Sequence, residues 1–185
     1  ENSMIVKFPV VGQPDTYLLA WTTTPWTLPS NVALCVNPGE TYVKVQAEDG
    51  ICILAQALVK SVFVEQEVTV LDSYIGTDLQ GMEYEPLYTF IQPDRKAYYV
   101  VADNYVTMED GTGIVHIAPA FGEDDSRVGK ENDLPFVNHV NTQGNFIECT
   151  GDWSGMFVKD TDKLIIRDLK ERNQCFAVIP FEHSY

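Results

Sequence analysis

Short apolar runs, rich in β-branched and aromatic residues and separated by turn formers, set the pattern of this chain. Residues 4–10, 17–22, 32–36, 42–47 and 51–55 read as strands. Asn37-Pro38-Gly39 and Glu48-Asp49-Gly50 are turns between them, the second suited to a hairpin. Further strands are predicted over 67–71, 87–90, 97–102, 113–117 and 175–181, with 76–86 read as loop. Helical signals are few. Residues 55–62 suit a short helix, and 123–133 follows Pro119 and Gly122 with Glu123, Asp124 and Asp125 in its first turn. Negative charge is favoured there by the helix dipole. Residues 160–173 give the clearest helix, with Asp160 as its capping residue and Ile165, Ile166 and Leu169 on one apolar face. Together these elements predict a β-rich fold, a β-barrel-like core with a few peripheral α-helices. No repeat or low-complexity linker divides the chain, so residues 1–185 are expected to form a single domain. Both terminal runs are strand-like, which suits a domain inserted into a larger protein through paired strands.

Composition narrows the classes of function. With 45% apolar and 21% charged residues, the 185-residue chain has ordinary globular composition. No apolar run approaches the ~20 residues of a membrane span and no basic-then-apolar leader opens the chain, so no membrane partner is expected. Twelve Lys and Arg stand against twenty-seven Asp and Glu, a net charge of −15. That excludes a stand-alone binder gripping nucleic acid by its phosphates. Cys35, Cys52, Cys149 and Cys175 include no C-x-x-C pair, and His116, His139 and His183 do not cluster with them, so no metal site is expected. The thiols read as reduced and structural, in a cytoplasmic setting, and the isolated domain is expected to be a monomer.

Candidate chemistry concentrates in two stretches. In the first, WTTTPWTLPSN at 21–31, an apolar strand runs into three threonines and then two prolines. Each proline lacks an N–H and holds the preceding residue extended, so the strand should stop in a rigid, irregular turn that presents Thr22, Thr23 and Thr24 beside Trp26. The second is GTGIVHIAPAFGEDD at 111–125. Taken residue by residue, both have plainer readings. Threonine runs are common in strands, Asp124 and Asp125 suit a helix start, and a histidine among apolar residues is ordinarily a hydrogen-bonded core residue. Gly111 and Gly113 suit a tight turn; they lack the spacing and the lysine of a phosphate-binding loop. No Ser-His-Asp or Cys-His arrangement is legible.

In order and about eighty residues apart, the two stretches resemble the paired signatures of the editing (CP1) domain inserted into isoleucyl-tRNA synthetases. Val6-Lys7-Phe8-Pro9 resembles the strand leading into that domain, and Phe181-Glu182-His183-Ser184-Tyr185 the return to the catalytic body, so the resemblance covers essentially the whole chain. Thr24 stands where the sister valyl and leucyl domains carry arginine, and the Val115-His116-Ile117 histidine also fits the isoleucyl form. The synthetic-site signatures of the parent enzyme are absent from this chain.

The resemblance implies the editing-domain fold shared by the valyl, isoleucyl and leucyl enzymes. It also implies hydrolysis of the ester joining valine to the 3′-terminal adenosine of isoleucine tRNA, after transfer, with isoleucine excluded. A pocket for isoleucine cannot strongly reject a side chain that merely lacks a methylene, the isoleucyl enzyme being the well-known case, and a second, smaller site removes the error. On that resemblance Asp125 holds the α-ammonium, His116 and Trp26 wall the side-chain pocket, and Thr23 and Thr24, with Thr22, bind the ribose and an attacking water. Asn31 fixes the loop or contacts the adenosine. No cofactor is implied; the partners are the 3′-CCA end carrying valine and the rest of the synthetase. Lys163, Arg167 and Lys170 on the last helix offer either a basic stripe for the acceptor end or a solvated face. The alternatives are a non-catalytic tRNA 3′-end binding module of the same fold and a β-domain for protein contacts.

Overall fold

A computed structural model describes residues 2–180. Among the described residues nine strands form one curled, mixed sheet: β1 (Asn2–Pro9), β2 (Thr16–Thr22), β3 (Ala33–Val36), β4 (Thr41–Ala47), β5 (Gly50–Ala55), β6 (Thr69–Ile75), β7 (Tyr99–Ala102), β8 (Ile114–Ile117) and β9 (Cys175–Pro180). The expected β-rich, barrel-like architecture is therefore present. Four α-helices accompany it: α1 (Val59–Val62), α2 (Gly76–Leu79), α3 (Glu123–Glu131) and α4 (Asp162–Glu171).

The sheet is organised around β2. Its near-continuous apolar run Tyr17-Leu18-Leu19-Ala20-Trp21 is what a strand covered on both faces requires. Successive side chains point to opposite faces. Leu18 packs in one core with Phe8, Leu34 and Ile53, while Leu19 packs in another with Ile5, Val43 and Leu54. One edge of β2 pairs antiparallel with β1. The other edge is shared: Thr16, Tyr17 and Leu18 pair with β5, whereas Trp21 pairs with Val115 of β8. From this fork one branch continues through β4 to β6 and the other through β3 to β7. β1 also pairs antiparallel with β9, so the two terminal runs are neighbours.

Several expectations shift. The strand read at 67–71 is β6, displaced to Thr69–Ile75 because pairing with β4 carries it through Asp72 and Ser73 to Ile75. Residues 87–90 form no strand. Tyr88 and Phe90 stack on each other instead, rings 5.6 Å apart, and both meet Trp153 edge-on. Tyr98, at φ 65°, delays β7 to Tyr99. The stretch 76–86 contains the single turn α2. Asp160 does not cap the last helix; it lies in a 3-10 turn, Val158–Thr161, and α4 begins at Asp162. Ile165, Ile166 and Leu169 are buried as expected. The segment 181–185, with His183, lies outside the described residues.

Cys35 and Cys52 are buried, Cys175 is half-buried and Cys149 is exposed; all four are free thiols. Burial pushes the Cys35 thiol up to about 12 and the Cys52 thiol to about 11, so neither is a thiolate nucleophile at neutral pH. Among the described residues no helix is long and apolar enough to cross a membrane.

Candidate functional site

The two stretches meet because of strand order. β2 and β3 both flank β8, one parallel and one antiparallel. The connection between them, residues 23–32, must therefore pass over β8, and His116 on β8 lies beneath it. Rather than an irregular turn, the connection is a 3-10 helix, Pro25–Ser30. Pro25 occupies its first position, where the missing N–H loses nothing, and Thr24 precedes it outside the helical region, at φ −130° and ψ 75°.

The hydroxyls of this connection are linked. Thr22 Oγ1 accepts the Thr24 N–H at 3.1 Å, and Thr24 Oγ1 lies 3.4 Å from Thr22 Oγ1 and 3.3 Å from Thr27 Oγ1. Thr22 is buried, Thr23 half-buried and Thr24 exposed, so the ledge rises from the sheet into solvent.

Beneath it, hydrogen bonds fix the histidine. The Ala33 carbonyl can only accept, so it must face Asn31 Nδ2, at 2.9 Å. The same amide nitrogen lies 3.1 Å from His116 Nδ1, which must then accept, and the tautomer follows. His116 Nε2–H donates to Thr27 Oγ1 at 2.8 Å, and Thr27 donates onward to the Thr24 carbonyl at 2.9 Å. Tyr84 Oη closes the chain by donating to Asn31 Oδ1. His116 is 7% exposed, and burial lowers its pKa from 6.5 to about 4. It is a neutral strut under the threonines.

The second stretch turns tightly to reach that position. At Gly111, φ is 74° and a Cβ would approach the Trp21 ring to 2.9 Å; at Gly113, φ is 79° and a Cβ would overlap the Ala55 methyl. After β8 the chain makes a 3-10 turn, Pro119–Phe121, whose Phe121 ring meets the Trp26 ring edge-on at 5.1 Å. Asp125, in the first turn of α3, accepts the Ala118 N–H at 2.9 Å. Burial raises its pKa, opposed by that backbone N–H, and the carboxylate retains accepting capacity.

A cavity of about 370 Å³ opens at the ledge. Thr23, Thr24 and Trp26 line one side, and Asp162, Lys163 and Ile166 of α4, with Lys159, line the other. Asp162 Oδ1 accepts the Trp26 backbone N–H at 3.0 Å, tying α4 to the ledge. Of the sequence-predicted residues, Thr23, Thr24 and Trp26 reach the cavity. Thr22, Asn31 and His116 support it from below, and Asp125 braces the adjoining turn without lining it. Asn31 is 6% exposed with its amide engaged at both ends, which favours the loop-fixing role over contact with a ligand. Sequence reasoning missed Thr27, Tyr84, Lys159 and Asp162. Thr27 alone had a signal, a hydroxyl three residues after Thr24 just past a helix-starting proline.

No protein-family model matches the chain. It is 49% identical, over its whole length, to the isoleucine–tRNA ligase of Clostridium acetobutylicum. It is 40% identical to the cytoplasmic isoleucine–tRNA ligase of Saccharomyces cerevisiae, again over the whole chain. In both cases it spans only 18% of the relative's length. Among solved structures, one described as GlLeuRS-CP1 superposes with a TM-score of 0.78 at 16% identity, covering 98% of this chain and 100% of that one. The editing domain of the Plasmodium falciparum cytosolic leucyl-tRNA synthetase gives 0.75 at 10% identity, covering the same shares. At those identities the structural likeness concerns the fold.

Proposed function

This chain belongs to the isoleucyl-tRNA synthetase family, as a segment with the fold of the synthetase editing domains, and we propose that it hydrolyses the ester of valyl-tRNA(Ile) while sparing isoleucyl-tRNA(Ile). The observation that carries this reading is the ledge itself. Thr23 and Thr24 face a cavity of about 370 Å³, and the Thr24 hydroxyl is locked through Thr27 onto a neutral histidine.

Fixed hydroxyls at a strand end suit a reaction in which positioning does the work. Thr23 and Thr24 hold the terminal ribose and a water near the ester carbonyl, and their hydroxyls and neighbouring amides stabilise the developing oxyanion. His116 is not the base, because its Nδ1 lone pair already accepts from Asn31 and its Nε2–H is donated to Thr27. The free hydroxyl of the substrate's own ribose takes that part. Asp125 uses its remaining acceptor capacity on the α-ammonium, a charge-assisted bond that orients the ester. Trp26 limits the room for the side chain, with His116 fixing the ledge from below, so isoleucine is turned away by overlap. The substrate is the 3′-CCA end of isoleucine tRNA, presented by the rest of the synthetase.

Deacylation by the full-length protein carrying Asp125→Ala tests the assignment. We expect valyl-tRNA hydrolysis to fall about a hundredfold. An unchanged rate would sink it.

A further inference from the structure

A second cavity, of about 500 Å³, lies further along α4. Tyr88, Phe90 and Trp153 wall it, and Arg167 stands at its rim with Asp152 and Glu171. Resting on the editing reading, we infer that Lys159, Lys163 and Arg167 carry the phosphates of the single-stranded 3′ end leading out of the threonine cavity, and that the aromatic cavity receives an upstream base of that strand.

Three observations support this. First, the cations form a row joining the two cavities. Lys159 and Lys163 line the threonine cavity, Arg167 lines the aromatic one, and Lys163 and Arg167 are one turn apart on α4, about 6 Å along its axis. That is close to one nucleotide step of a stretched strand. The row departs from the stripe read in the sequence, with Lys159 replacing Lys170.

Second, these cations form no ion pair among the described residues, whereas Arg95, Arg127 and Arg172 each reach a carboxylate. Lys60, Lys130 and Lys170 form none either, but only Lys159, Lys163 and Arg167 line the two cavities. With a net charge of −15, an unneutralised cationic row beside the cavity is a local exception that phosphate would complete.

Third, the aromatic cavity is walled by rings held in place, Tyr88 carrying the Arg172 guanidinium 4.8 Å from its ring centre. Tyr88 and Phe90 stack within 9° of parallel, with Trp153 edge-on to both. Tyr88 is held by Asp168, which accepts its hydroxyl proton at 2.7 Å and is itself paired with Arg172 at 3.1 Å. Bases stack on such platforms regardless of identity. The rim carboxylates Asp152 and Glu171 add a preference. They repel phosphate, which keeps the backbone on the cationic row, and they accept from an exocyclic amino group such as cytosine N4.

The experiment uses the full-length protein and two probes, the trinucleotide cytidylyl-cytidylyl-adenosine and adenosine alone. Trp153→Ala and Arg167→Gln should weaken trinucleotide binding about tenfold relative to any change with adenosine. Arg167→Gln should also flatten the log–log salt slope for the trinucleotide by about 0.7, and Trp153→Phe should restore most of the loss. Replacing the cytosines by uracils should weaken binding several-fold. Equal losses on both probes would mean a merely structural role, and no loss on either would assign the cavity to some other occupant such as a basic protein segment; both results overturn the inference. Release of valine from valyl-tRNA is measured alongside. A protein that binds the trinucleotide as described yet releases no valine fails the editing reading alone, and one that releases valine with unchanged trinucleotide binding in both variants fails this inference alone.

Discussion

A histidine with both ring nitrogens engaged and almost no exposure behaves as a strut, and His116 is one. Between pH 6.5 and about 4 the unfolded chain takes up a proton that the folded chain refuses, because burial lowers the His116 pKa to about 4. His139, buried with Nδ1 2.8 Å from Ser30 Oγ, is lowered to about 4 by the same cause. Stability should therefore be complete above about pH 6.5 and fall as pH drops toward 4, by on the order of 3 kcal/mol per histidine. Asp125, whose pKa is raised by burial, acts in the opposite sense over the carboxylate range. Urea midpoints at pH 7 and 4.5 read this directly, and equal midpoints would contradict it. Thr27→Val strands the His116 Nε2–H and should cost about 1–3 kcal/mol, visible as a lowered midpoint at unchanged slope. Thr23, Thr24 and Trp26 were legible because prolines after a threonine run announce a strand end. Thr27 was not, since its partner is 89 residues away and only strand order brings the two together.

At the scale of elements, the site is a crossing. A connection between the two strands that flank β8 has to pass over it, and the glycine turn before β8 fixes how close it comes. Gly113→Ala combines a positive φ with overlap on Ala55 and should destabilise the fold by roughly 2 kcal/mol or more. A thermal midpoint within a degree of wild type would contradict that. The helix α4 was legible from its apolar face, but not its place opposite the ledge. Ile165, Ile166 and Leu169 say that a helix packs, without saying on what. The error at 87–90 has a related cause: β-prone aromatics there had no free sheet edge to join and packed on Trp153. Asp160 drew attention as a cap by residue type alone, whereas Asp162 begins the helix and uses its carboxylate on the Trp26 amide.

For the whole molecule, charge and architecture point to a division of labour. On the proposed reading, an acidic body with a cationic row beside a small cavity would hold the end of a nucleic acid and leave its bulk to something else. The paired motifs made the family legible over the entire chain, which spans 18% of the length of the relatives it matches. The central claim is that the threonine cavity selects the smaller amino acid. Titration of the full-length protein with non-hydrolysable valyl- and isoleucyl-adenosine analogues, followed at Thr23, Thr24, Trp26 and Asp125, measures that selection. Burial of apolar area by itself favours isoleucine by about 0.8 kcal/mol for the extra methylene. The account predicts the reverse order, with the valyl analogue bound more tightly and shifts centred on those residues. Tighter binding of the isoleucyl analogue, or shifts centred elsewhere, would contradict it.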